Sequence, residues 1–253
     1  MSHFQDWLDD LRTAIGFQTR IPVPHPEGAH PSNFARAHRL FPVVGAAIGA
    51  FIGLVYLALV WLNIPALAAA ALAFGAGALL TGALHEDGLG DLADGFGGGR
   101  DKASKLEIMR DSRLGTYGTL TLLVGFVAKV SALAALPGDA VIASLIAAHA
   151  LARGTISPLA RVSPYARTDG LGHSAGRPTQ AVAITSAVLA LLIAFLCLPL
   201  WDAVLAALVV ALAAAAIAWL AWRQIGGMTG DTLGAAEQCG EIAVLLLLAA
   251  RLS

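Results

Sequence analysis

Asp87, Asp91 and Asp94 stand four and three residues apart in Gly82-Ala-Leu-His85-Glu86-Asp87-Gly-Leu-Gly-Asp91-Leu-Ala-Asp94-Gly-Phe-Gly-Gly-Gly99. On a helix they fall within an arc of about 60°. Like charges at that spacing cost a helix a few tenths of a kcal/mol each. A cation among them would turn the cost into a gain. Hard divalent ions take oxygen ligands, and Mg²⁺ commonly shares one or two carboxylates with a substrate's phosphates. Asp87, Asp91 and Asp94 are therefore candidate metal ligands, with Mg²⁺ the expected cofactor. Gly88, Gly90 and Gly95 weaken the helix, and Gly97-Gly98-Gly99 should end it. They could bring backbone close to a ligand. The plain alternative is a solvated acidic loop. His85 falls opposite Asp87 on such a helix and reads as an interfacial hydrogen-bonder.

Other chemistry-bearing groups accompany this cluster. Glu107 and Asp111 are four apart, with Arg110 and Arg113 interleaved. Arginine forks suit phosphate oxygens, so Arg110, Asp111 and Arg113 are candidates for substrate binding. Near the end of the chain stands Gly226-Gly-Met-Thr229-Gly230-Asp231-Thr-Leu-Gly234-Ala-Ala-Glu237-Gln-Cys-Gly-Glu241. Glu237 and Glu241 are one turn apart at the mouth of an apolar run, where a carboxylate is costly unless paired, liganded or wet. Asp87, Asp91, Asp231, Glu237 and Glu241 form the candidate catalytic set: two acidic groups could hold two ions, or an ion and a base. Asp231 as a helix cap and Glu241 as a surface anchor are the bland alternatives. Lys129, His149 and Arg153 lie inside apolar runs. Arg153 could reach a phosphate or snorkel to headgroups. Arg161, Arg167 and Asp169 could bind substrate or hold topology.

The elements that must position these groups are membrane helices. The 253 residues are 57% hydrophobic and 13% charged, against about a quarter charged in soluble domains. The apolar residues are blocked into long runs, which predicts an all-α polytopic bundle. Six runs are long enough to cross a bilayer: 40–62, 65–84, 115–136, 140–158, 180–200 and 203–222. A seventh, 236–252, is short, and its polar opening turns should stand among cytosolic headgroups. Residues 1–20 lack the basic-then-apolar pattern of a secretory leader. They predict an amphipathic helix, with Phe4, Trp7, Leu8, Leu11 and Ile15 on one stripe. It should lie in the membrane interface or dock on the protein's own spans. Lys and Arg concentrate before residue 40, at 84–115, at 158–180 and just after 222, and the short alternate loops have none. That predicts a cytoplasmic N-terminus, with every candidate group on the cytoplasmic face. Asp139 and Asp202 are the exceptions. A net charge of −1 argues against nucleic acid as a partner. Cys197 and Cys239 read as free thiols.

Three segments together resemble one known family. They are Leu84-His-Glu-Asp87-Gly-Leu-Gly-Asp91-Leu-Ala-Asp94-Gly95, Ile108-Met-Arg110-Asp111-Ser-Arg113-Leu-Gly-Thr-Tyr-Gly118 and Gly227-Met-Thr229-Gly230-Asp231-Thr-Leu-Gly-Ala235. The set, with Thr19-Arg-Ile-Pro-Val-Pro24 near the start, is similar to the cobalamin (5′-phosphate) synthases, the adenosylcobinamide-GDP ribazoletransferases. The resemblance implies a single integral-membrane domain over 1–253, in the inner membrane. It also implies transfer of the cobinamide phosphate of adenosylcobinamide-GDP to α-ribazole or its 5′-phosphate, with release of GMP and a need for Mg²⁺. On that reading Asp87, Asp91 and Asp94 hold metal. Arg110 and Arg113 steady phosphate oxygens, with Arg153 and Arg167 further candidates for substrate contact, and Asp231, Glu237 or Glu241 takes a proton or a second ion. Lipid is the other expected partner, and the reading leaves room for a homo-oligomer. Three competitors fit less well. A CDP-alcohol phosphotransferase should continue with Ala-Arg after Asp-Gly-x-x. An intramembrane prenyltransferase should carry Asn-Asp-x-x-Asp. A cation transporter should place its acids at mid-membrane.

Overall fold

The computed structural model describes residues 3–24, 31–167 and 176–252. It is a helical bundle, and its only β pairing among the described residues is an isolated bridge between Tyr165 and Met228. The helices are α1 (His3–Gln18), α2 (Pro31–Ala37), a 3₁₀ turn (His38–Leu40), α3 (Phe41–Trp61), α4 (Ala66–Thr81), α5 (Leu84–Gly98) and α6 (Lys102–Ile108). They continue with α7 (Thr116–Ala135), α8 (Val141–Val162), α9 (Gln180–Cys197), α10 (Leu200–Ile225) and α11 (Gly230–Leu252). Six stretches are long and apolar enough to cross a membrane: Asn33–Trp61, α7, α8, α9, α10 and α11. The protein is thus a multi-pass membrane protein. Exposed Leu120, Leu123, Val124 and Val127 on α7, and Leu192, Phe195 and Leu196 on α9, form apolar outer faces. Such faces suit lipid and would be a liability in water.

The expected crossing at 65–84 is not one straight helix. α4 stops at Thr81, and the chain bends 94° into α5. Gly82 and Ala83 cause the bend: both are left-handed, at φ +69° and +56°. That region is open to glycine and costly for alanine. The Arg20 side chain lies where a Cβ on Gly82 would sit, and its backbone N–H donates to Leu80 O at 2.8 Å. The N-terminal segment therefore braces the bend, and α5 lies outside the six spans.

The final span also departs from expectation. α11 begins at Gly230 rather than near 236, and Thr232, Glu237, Gln238 and Glu241 in its first turns are buried. Glu237 and Glu241 are not wet, because other helices supply their partners. α8 is the central helix, packed by α3, α9 and α11. Its contact with α3 is close because Gly45 and Gly49 present no side chain: a Cβ there would lie 2.5 Å from His149 O and 2.3 Å from Leu145 O. This small-xxx-small seam is a common packing device of membrane helices.

α1 docks on the protein. Asp10 is fully buried and pairs with Arg36 at 2.8 Å and Arg39 at 2.6 Å. At the opposite end of the bundle, Asp202 pairs with Arg251.

Candidate active site

The site is assembled where α5 crosses the start of α11. Gly88 permits the crossing: a Cβ there would lie 2.9 Å from Asp231 O. The glycine expected to admit a ligand instead admits a neighbouring helix. It brings Asp87 and Asp91 to Asp231. Asp231 receives Arg167 Nη2 at 3.1 Å and the Thr229 hydroxyl at 3.2 Å. Arg167 reaches it because two loops are tied together. Ala166 N–H donates to Met228 O at 2.9 Å, and Met228 N–H to Pro164 O at 2.7 Å. Thr229 caps α11, its hydroxyl accepting from Thr232 N–H at 3.2 Å.

The three aspartates of α5 part company. Asp94 turns to the start of α7, where its two oxygens accept from Gly115 N–H at 2.7 Å and Gly118 N–H at 2.8 Å. A carboxylate at a helix N-terminus is favoured by the exposed amides and the dipole. Asp87 and Asp91 make no ion pair among the described residues. Burial, followed by the charges of Asp87, Asp231 and Asp94, pushes Asp91 up to about 7, and Arg167 is the cation that opposes them. A carboxylate surrounded by others is short of positive charge. That is the donor chemistry a hard cation fits, with phosphates completing its shell.

The other two acids expected in catalysis lie inside the bundle. Glu237 is 2.5 Å from Arg153 and 3.2 Å from His85 Nδ1, and accepts from Gln238 at 2.9 Å. Glu241 is 3.0 Å from Lys129 and 2.9 Å from His149 Nδ1. Lys129 also stands 3.6 Å from Glu86. His149, Glu237 and Glu241 are the one compact trio of potential metal ligands among the described residues. We do not read it as a metal centre, because Arg153 and Lys129 already occupy its charge. Arg153 neither snorkels nor lines the cavity described next.

That cavity holds about 280 Å³. Asp87, Asp231 and Arg167 line it, as do Phe17, Phe34, His38, Phe41, Ile156 and His85. His85, expected to be a plain interfacial group, is buried between this cavity and Glu237. Asp111 and Arg113 lie outside it and bind each other in an exposed loop, at 2.6 Å. That hydrogen bonding holds the Asp111 carboxyl down to about 2. Arg110 and Glu107 are exposed at the end of α6, and Arg161 at the end of α8. Asp169 lies outside the described residues.

Comparison with known proteins decides the family. A family model described as cobalamin-5-phosphate synthase matches residues 10–249. The chain belongs to the cobalamin-5-phosphate synthase family. Among its relatives, a Bradyrhizobium diazoefficiens protein is 46% identical over 245 residues, 96% of this chain and 94% of the relative. A Sinorhizobium protein is 44% identical over 261 residues, 98% and 99% of the two chains. An Escherichia coli protein is 40% identical over 240 residues, 92% and 96%. All three are named adenosylcobinamide-GDP ribazoletransferase. No solved structure matches. In this cobalamin-5-phosphate synthase family member, sequence reasoning overlooked Phe17, Phe34, His38, Phe41 and Tyr165 of the cavity wall. Residues 34, 38 and 41 repeat the four-and-three step of the aspartates. That signal was open to reading.

Proposed function

We propose that the protein is an adenosylcobinamide-GDP ribazoletransferase that needs Mg²⁺, set in the inner membrane with its site facing the cytoplasm. The observation carrying this is the group formed by Asp87, Asp91 and Asp231. Asp87 and Asp231 line a cavity with a single arginine, Arg167, beside them, and Asp91 stands close enough to feel their charge, in a chain whose full-length relatives bear that enzyme's name. A ribose hydroxyl of α-ribazole or its 5′-phosphate attacks the cobinamide-side phosphorus. The bond from that phosphorus to the bridging oxygen breaks, and GMP leaves with the electron pair. Mg²⁺, when bound, would neutralise the pyrophosphate and the departing GMP.

This chain's residues do the rest. Asp87 and Asp91 would hold the ion, and Asp94 fixes α5 against α7. Arg167 steadies a phosphate oxygen, and Asp231 is placed to take the hydroxyl proton. His85, oriented by Glu237, stands in the same wall as a second acceptor. The concentration of Lys and Arg in the segments sharing this face supports the cytoplasmic orientation.

The test is GMP release from adenosylcobinamide-GDP and α-ribazole by purified protein, with and without Mg²⁺. Release only with the metal is expected. Mg²⁺ transport into proteoliposomes without GMP would replace this reading with a transporter.

A further inference from the structure

The phosphoryl chemistry uses one end of the cavity and leaves the other unexplained. That end is a nest of rings. Phe17 and Phe41 stack at 5.7 Å and 11°, and Phe34 meets Phe17 edge-on at 4.6 Å. His38 lies 4.4 Å from the Phe41 ring and 5.2 Å from Phe34. Walls of this kind take a flat aromatic ring. His38 is 5% exposed and lines the cavity, yet among the described residues neither Nδ1 nor Nε2 has a hydrogen-bond partner. Buried polar groups are nearly always paired, so an orphaned imidazole on a cavity wall points to a ligand.

We propose that this end holds the benzimidazole base of ribazole, with a ring N–H of His38 donating to the base's free ring nitrogen. The inference rests on the function proposed above and adds where the acceptor nucleoside sits and what selects its base. Size excludes the corrin ring, because pockets for drug-sized ligands alone run to roughly 300–1,000 Å³ and this cavity holds about 280 Å³. Polarity separates the remaining bases. Guanine and adenine present several donors and acceptors along their edges. A wall of phenyl rings with one imidazole would leave most of these unpaired, a strong basis for rejection. Benzimidazole joined to ribose at one nitrogen presents C–H groups around its rim and a single acceptor nitrogen. That matches phenyl walls with one donor. With the base there, the ribose extends toward Asp87, Asp231 and Arg167, where its hydroxyl must act. The corrinoid then approaches from outside the cavity.

The test compares α-ribazole with the riboside of the matching indole, which replaces the acceptor nitrogen by C–H. Binding is measured by calorimetry on the full-length protein in nanodiscs, without the corrinoid substrate. Wild type should prefer α-ribazole by roughly tenfold. His38→Phe should bind both alike, His38→Gln should regain the preference, and the KM for adenosylcobinamide-GDP should stay unchanged in both variants. Phe34→Leu should weaken both ribosides equally, which keeps the assignment testable if His38→Phe fails to fold. Equal binding of the two ribosides by active wild type would overturn the base assignment alone. So would a His38→Phe defect confined to the KM for adenosylcobinamide-GDP. No riboside binding and no GMP release by wild type would overturn the functional reading itself.

Discussion

Two acidic groups lie on the crossing of α5 and α11, and they are neutralised differently. The inner group is Glu86, Glu237 and Glu241, and the chain supplies the cations Lys129 and Arg153 against it, with His85 and His149 close to its carboxylates. The outer group is Asp87, Asp91 and Asp231, and the chain supplies Arg167. Buried ions persist when they are paired, because removing one partner strands the other. The inner acids are thus complete without help and read as scaffold. The outer acids have Arg167 alone against them, and Asp87 and Asp231 face a cavity, so the proposed cation and its phosphates belong there. The spacing of acids in the sequence is similar in both groups. What separates them is the supply of counterions.

Breaking the inner group should have the largest effect, and on folding. Lys129→Met leaves Glu241 without its ammonium and should cost about 3–5 kcal/mol, read as a lower unfolding temperature in detergent. Adding Glu241→Gln should recover part of that loss. The outer group should respond the opposite way. Asp87→Asn should lower GMP release by roughly 10²–10³-fold with an unchanged unfolding temperature, since Asp87 has no ion pair to lose among the described residues. A variant with full activity would remove Asp87 from the site.

Asp94→Asn sits between the two. It weakens the cap on α7 by about 1–3 kcal/mol, so stability should drop while turnover falls less than in Asp87→Asn. A reversed order of activities would make Asp94 a ligand rather than a brace. The smallest effect concerns pH. Without a cation Asp91 keeps its proton up to about pH 7, because burial and its acidic neighbours disfavour the charge. Metal binding must displace that proton below pH 7 and not above it. The half-saturating Mg²⁺ concentration should therefore rise about tenfold per unit as pH falls below 7, and level off above it. In Asp91→Asn that slope should vanish.

The spans were legible because long apolar runs have few other uses. The break at Gly82-Ala83 was not, since alanine carries no mark of a left-handed backbone. That Asp87 and Asp91 share a helix face was legible from spacing. The role of Asp94 depends on amides 21 and 24 residues further on, which spacing along α5 does not reveal. Whether Glu237 and Glu241 are paired, liganded or wet was not legible, because Lys129, Arg153 and His149 lie on other helices. The aromatic wall carried a periodic signal, but without charge it looked like ordinary core.

The pairing of α11 bears on how the protein is made. Glu237 and Glu241 ride on the last helix of the bundle, and their partners ride on α5, α7 and α8. As the chain emerges from the ribosome, Lys129 and Arg153 reach the bilayer before the acids that satisfy them. Their charge is matched only once α11 docks, because that helix carries the acids they pair with. Its first turn carries Asp231, so the docking of α11 sets the inner ion pairs and the position of Asp231 together.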